Sequence, residues 1–267
     1  MEQKSKIEVG QQAKNNVLLG VIDNWGEYSD IDLVKVILAS GADVNARNED
    51  GNTPLMLAAD IDDSEDSIEL IELLIKAGAD VNAADDDGWT PLLIAVINDN
   101  LKATKVLLNH GANINAVNSD FENAFIVAIE NGVSDNLIRL LVKHGVDVNA
   151  KNKDGLTALM FAIVELYDPI DIVKLLIKLG VNIDEQDNEG KTALMHAAII
   201  ANVKITKFLL ENGANADIKD KHGLTALDYA LNDDIHEEIR TSKNKVIETI
   251  NAYKKNPNYI IKRFNNF

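Results

Sequence analysis

The chain has no cysteine, which excludes disulfides, thiolate zinc sites and thiol catalysis, and is compatible with a reducing compartment. Aromatic residues make up only 5% of it against 46% hydrophobic residues. A core must therefore be assembled from Leu, Ile, Val and Ala in thin layers, without large aromatic anchors. No apolar run approaches a membrane span, and Met1 to Gln12 is polar, without the apolar stretch of a secretion signal. These absences predict a cytoplasmic protein with no membrane partner, although export as an effector would leave no such mark. Positive charge is also short: 26 Lys and Arg face 43 Asp and Glu, a formal net charge of -17. That balance repels nucleic-acid phosphate and favours a basic partner, while most of it serves solubility.

Catalytic signatures are missing as well. No Gly-x-Ser-x-Gly elbow occurs, nor a Gly-rich phosphate loop ending in Lys-Ser or Lys-Thr. His236-Glu237-Glu238 lacks a partner His four residues on, where Arg240 stands, so it is no zinc helix. The acidic run Asp60-Ile61-Asp62-Asp63-Ser64-Glu65-Asp66 lacks the central Gly of a calcium loop and reads as a solvated insertion. The expectation is a protein that is not an enzyme, with no cofactor and no metal.

What the chain does have is repetition. The motif Gly, small residue, Asp or Asn, Val, Ile or Ala, Asp or Asn starts at Gly41, Gly78, Gly111, Gly145, Gly180 and Gly213, with steps of 37, 33, 34, 35 and 33 residues. Between copies stands a second block, Gly51-Asn52-Thr53-Pro54-Leu55 and Gly88-Trp89-Thr90-Pro91-Leu92, with Thr-Ala-Leu versions after Gly155, Gly190 and Gly223. Here Gly closes a turn, Thr caps a helix, Pro or Ala fills the first helical position and Leu faces inward. A second helix follows, such as Asp171 to Leu179, and ends on the next motif's Gly as a left-handed C-cap. Its residue before the Gly is His110 in one copy and His144 in the next, a recurrence that reads as scaffold.

Thr-Pro-Leu, a Leu-Leu helix and Gly-Ala-Asp-Val-Asn together are similar to the ankyrin repeat, over roughly residues 12 to 253. The resemblance implies an all-α solenoid of about seven units, each a β-turn finger and two antiparallel helices, with a concave face of fingers and first helices. Residues 1–256 form one domain on this reading, with units at about 12–47, 48–84, 85–117, 118–151, 152–186, 187–219 and 220–253. A basic, aromatic tail follows at 257–267. The family's usual His after Thr-Pro-Leu is absent, being Met56, Leu93, Ile126, Met160, Met195 and Asp228 here. Cohesion between turns is then expected from capping Thr, from Asn and Asp, and from apolar contact.

Departures from the frame mark candidate function. Trp25 and Tyr28 stand in the loop of the first unit, where folding back on the loop's own core is expected ahead of a binding knob, and Tyr167 in an insertion, Glu165 to Pro169. Phe121 replaces a turn glycine, which calls for either a remodelled turn or a side chain held by something. Asp85 aligns with Asn48, Asn118, Asn152, Asp187 and Asp220, positions suited to bonding turn backbone. Without these scaffold positions, the acidic residues Asp50, Asp86, Asp87, Asp120, Glu122, Asp154 and Glu189 remain, with Trp89, Phe121, Leu156 and Leu224 among them. They are the expected partner-binding set of a monomeric interaction module that grips a basic protein surface rather than nucleic acid. The alternatives are an immunity or inhibitor protein, or a nucleic-acid mimic, blocking a toxin or a nucleic-acid-binding protein. A regulatory part of an enzyme ranks below these.

Overall fold

The computed structural model describes residues 2–28, 30–232 and 237–255. They form α1 (Glu2–Asp23), α2 (Trp25–Tyr28), α3 (Ile31–Ala39), α4 (Pro54–Asp60), α5 (Glu65–Lys76), α6 (Pro91–Ile97), α7 (Leu101–Asn109) and α8 (Ala124–Glu130). Beyond these come α9 (Asp135–Lys143), α10 (Ala158–Glu165), α11 (Ile170–Lys178), α12 (Ala193–Ile199), α13 (Val203–Glu211), α14 (Ala226–Leu231) and α15 (Glu237–Lys255). Ser29, His236 and the 257–267 tail lie outside the described residues, as does the side chain of Tyr28. Two compact units result, Met1–Asp147 with α1 to α9 and Val148–Phe267 with α10 to α15.

Most helices have seven to nine residues, too short to persist alone, so packing must hold them. The caps follow the sequence. Thr53, Thr90, Thr157, Thr192 and Thr225 each accept a bond from the N–H three residues on, and Asn123 accepts from Phe125 and Ile126. Leu55, Ala58, Leu93 and Ala95 in the first unit are fully shielded from water, as are Val173 and Leu176 in the second. Each such Leu or Val contributes about 1.5–3 kcal/mol of burial. Trp25 is 4% exposed and belongs to the core beside α1, the folded-back arrangement and not a binding knob.

The glycine motif also holds neighbouring repeats together. Its first Asp or Asn caps its own turn, as Asp80 does by accepting the Asn82 N–H at 2.9 Å. The second reaches the next repeat: Asn45 accepts the Asp80 N–H at 2.8 Å, Asn82 that of Asn113 at 2.7 Å, and Asn115 that of Asp147 at 2.8 Å. In the second unit Asn149 serves Asn182 at 2.7 Å and Asp184 serves Asn215 at 2.8 Å. The Thr caps bond within their own repeats, so the expectation that Thr joins repeats is corrected and the Asn/Asp part stands. Where the family's His is missing, Met56 and Met195 sulfurs accept the N–H of Thr53 and Thr192, and the Asp228 carboxylate takes that of Thr225.

α1 begins at Glu2, well before the expected start at Gln12. At the other end α15 packs on α13 and α14, with Val246 and Ile250 fully buried. The acidic insertion is tied to its neighbour: Lys102 pairs with Glu65 at 2.9 Å, and its backbone N–H reaches Asp63.

Candidate functional site

Each finger turn is organised around one Asn or Asp. Asn48 Oδ1 accepts the N–H of Asp50 and Asn52, Asp85 Oδ1 those of Asp87 and Trp89, and Asn118 Oδ1 those of Asp120 and Glu122. In the second unit Asn152, Asp187 and Asp220 do the same. These contacts leave the side chains of the tip residues outside. Asp50, Asp86 and Asp87 are exposed, and among the described residues no cation pairs with them. Adjacent fingers touch through backbone, Ser119 N–H donating to Asp87 O at 2.7 Å. A Cβ on Gly88 would come within 3.0 Å of Asn118 Cα, so that position needs a glycine for close approach as well as for its φ of 79°.

Phe121 takes the corresponding backbone conformation without being glycine, with φ 60°. Its N–H bonds Asn118 O at 3.0 Å, as Gly51 bonds Asn48 O at 3.1 Å. The turn is therefore not remodelled, and the side chain is not clamped either, being 60% exposed. Glu122 also departs from expectation. It is half-buried, and its carboxylate accepts from Asn118 Nδ2 at 2.8 Å, so it braces the turn it was expected only to decorate. Asp120 is half-buried.

Trp89 is half-buried rather than free. It lines a cavity of about 250 Å³ with Leu57 and Asp60 of α4, Ile94 and Ile97 of α6, and Asp85. The candidates of the first unit thus form a set: exposed carboxylates on two successive fingers, an exposed Phe121 on the next, and Trp89 at a hollow against α4 and α6. In the second unit Asp154 is exposed, Leu156 half-buried and Leu224 40% exposed. Glu189 lies 3.8 Å from His222. Tyr167 projects fully into solvent from its insertion.

One feature escaped sequence reading. The helix position nine residues after each turn Asn or Asp carries Leu57, Ile94, Val127 and Phe161, then His196 and Tyr229. His196 Nε2 meets Asp187 Oδ2 at 2.8 Å, and Tyr229 donates its hydroxyl to Asp220 Oδ2 at 2.5 Å. Burial holds His196 below the usual imidazole value, aided by Lys191 and opposed by Asp187. Its neutral ring then donates to the carboxylate. Burial, with Asp220 adding to it, pushes Tyr229 up to about 12. Burial opposes ionisation of Asp220, but the Tyr229 hydroxyl and the N–H groups of Leu224 and His222 outweigh it and hold the carboxyl low. The polar pairs fall on one repeat position and serve the turns. His110 and His144 likewise turn back to their own helices, bonding Val106 O and Leu140 O at 2.9 Å.

The comparison with protein families decides what these units are. The family model described as ankyrin repeats in three copies matches residues 25–118, 116–187 and 164–242. The chain is an ankyrin-repeat protein. Among solved structures, the ankyrin repeat domain of Bcl-3, a unique member of the IkappaB protein family, aligns with a TM-score of 0.71. Identity is 24%, over 88% of this chain and 97% of that one, a likeness of fold. No curated protein matches in sequence. Ankyrin repeats generally mediate protein–protein interaction and are typically non-catalytic. No helix of the described residues is long and apolar enough to cross a membrane.

Proposed function

We propose that this ankyrin-repeat protein is a non-catalytic module that holds a basic surface of a partner protein against its turn tips and first helices. One observation carries the reading: Asp50, Asp86 and Asp87 project from successive fingers without a neutralising cation among the described residues, beside Phe121 and Trp89. Exposed carboxylates contribute under about 1 kcal/mol each to affinity, so their role is to steer and select a basic partner. The aromatic pair supplies the anchor, each ring worth about 2 kcal/mol or more when covered. Asp154, Leu156, Glu189 and Leu224 extend the same chemistry on the second unit. The protein acts as a cytoplasmic monomer on this reading, with neither nucleic acid nor membrane as direct ligand.

Affinity capture from native lysate tests it, with wild type beside a Trp89→Ala, Phe121→Ala double variant, both held well below the variant's melting temperature. Proteins of basic surface retained by the wild type and lost by the variant support the reading. Equal retention by both refutes it. Captured nucleic-acid-binding proteins that competing DNA displaces would instead identify a nucleic-acid mimic.

A further inference from the structure

In five of the six finger turns, the organising residue and the residue nine positions on are matched in polarity. Neutral Asn48, Asn118 and Asn152 stand with apolar Leu57, Val127 and Phe161. Charged Asp187 and Asp220 stand with His196 and Tyr229, which donate to their second carboxylate oxygen. The sixth turn breaks the rule. Asp85 is charged and half-buried, its Oδ1 takes the N–H groups of Asp87 and Trp89, and the residue nine positions on is Ile94, which has no side-chain donor. The second oxygen has no protein donor among the described residues, and Asp85 lines the cavity that Trp89, Leu57, Ile94, Ile97 and Asp60 enclose.

We propose that this cavity receives a lysine or arginine side chain of the partner, whose cationic head supplies to Asp85 the donor that His196 and Tyr229 supply elsewhere. The inference rests on the reading of the protein as a binder of a basic surface and names the side chain it grips. Size and chemistry agree. A volume of about 250 Å³ is below the roughly 300–1,000 Å³ of small-molecule sites and suits a single long side chain. Leu57, Ile94 and Ile97 offer apolar wall to an alkyl stem, Trp89 an aromatic surface, and Asp60, exposed at the end of α4, a second carboxylate whose Oδ1 accepts from Asn98 at 2.8 Å. A neutral apolar side chain would take water from the second Asp85 oxygen without replacing its donor, so the site selects charge as well as shape.

Isotope-labelled full-length protein, titrated with a peptide carrying several arginines spaced by Gly and Ser, tests the assignment by NMR. The Trp89 indole and Ile94 methyl signals should shift saturably, while buried Trp25 serves as the unmoved control. The same peptide with norleucine for arginine should bind at least about tenfold more weakly. Asp85→Asn should also cost about tenfold, with its turn intact, because Asn already organises three sibling turns. Ile94→His, which installs the donor found at His196, should compete with the peptide in the same way. Shifts confined to the amides of Asp50, Asp86 and Asp87 would overturn the cavity assignment and leave the acidic-face reading standing. No shift at all would overturn both, and wild-type affinity in Asp85→Asn would overturn the assignment alone.

Discussion

Replacing Phe121 first by Ala and then by Gly separates the side chain from the backbone at the one finger turn that lacks glycine. Phe121 has φ 60° and is 60% exposed. Truncation to Ala removes the buried two-fifths of the ring, a loss of about 1 kcal/mol from the 1.5–3 kcal/mol of a fully buried side chain. The second step should reverse direction. A side chain with Cβ in the left-handed region costs roughly 1–2 kcal/mol, and glycine's extra unfolded-state freedom returns about 0.5–1 kcal/mol of that. Gly should therefore be more stable than Ala by about 0.5–1 kcal/mol, a rise of roughly 1–4 °C in a chain of this size. Urea titration followed by tryptophan fluorescence is the natural assay, because Trp25 and Trp89 both lie in the Met1–Asp147 unit. The exposed helical site Glu72 supplies the control, where Gly should be less stable than Ala by about 1 kcal/mol. If Ala equals or exceeds Gly at position 121, the turn is not left-handed in solution and the argument for a strained, outward Phe fails.

Three further outcomes follow from particular contacts. Thr104 is fully buried with no partner for its hydroxyl among the described residues, so Thr104→Val should raise stability by about 1 kcal/mol; a loss in urea midpoint would reveal a hidden partner. Gly155→Ala places a Cβ 2.4 Å from Asn188 N at φ 79°, and should lower stability by about 3 kcal/mol or more, against a near-neutral change if the finger slides away. His196 has a folded pKa below its unfolded value of 6.5, so the unfolded chain binds the proton more readily and stability is lost as pH falls below 6.5. Melting curves of His196→Gln should lose less between pH 6.5 and 5 than wild type; parallel losses would place the titration elsewhere.

The fold was legible because its punctuation is chemical. Gly51, Thr53 and Pro54 each have one local job, and the structure shows each doing it. Asn and Asp were expected to join turns, but that the second motif letter, Asn45, Asn82 or Asn115, is the one that reaches an N–H of the next repeat needed coordinates. Trp25 was expected to fold back on its loop's core and does, but Glu122 looked free because sequence gives type and position, whereas a carboxylate bracing its own turn depends on direction. The polar pairs of Asp187 with His196 and Asp220 with Tyr229 were written in the sequence at a fixed offset of nine. Nothing local relates a turn residue to one on the following helix, and only that contact makes Asp85 with Ile94 an exception.

The central claim is that exposed turn carboxylates select a basic protein. Affinity capture at low and high salt, comparing wild type with the Asp50→Asn, Asp86→Asn, Asp87→Asn triple variant, tests it most directly, because screening contracts from about 10 Å at 0.1 M to 3 Å at 1 M. The prediction is that wild type retains proteins of basic surface, that salt releases them, and that the triple variant retains them poorly. Capture of the same proteins by both forms, unmoved by salt, would contradict it.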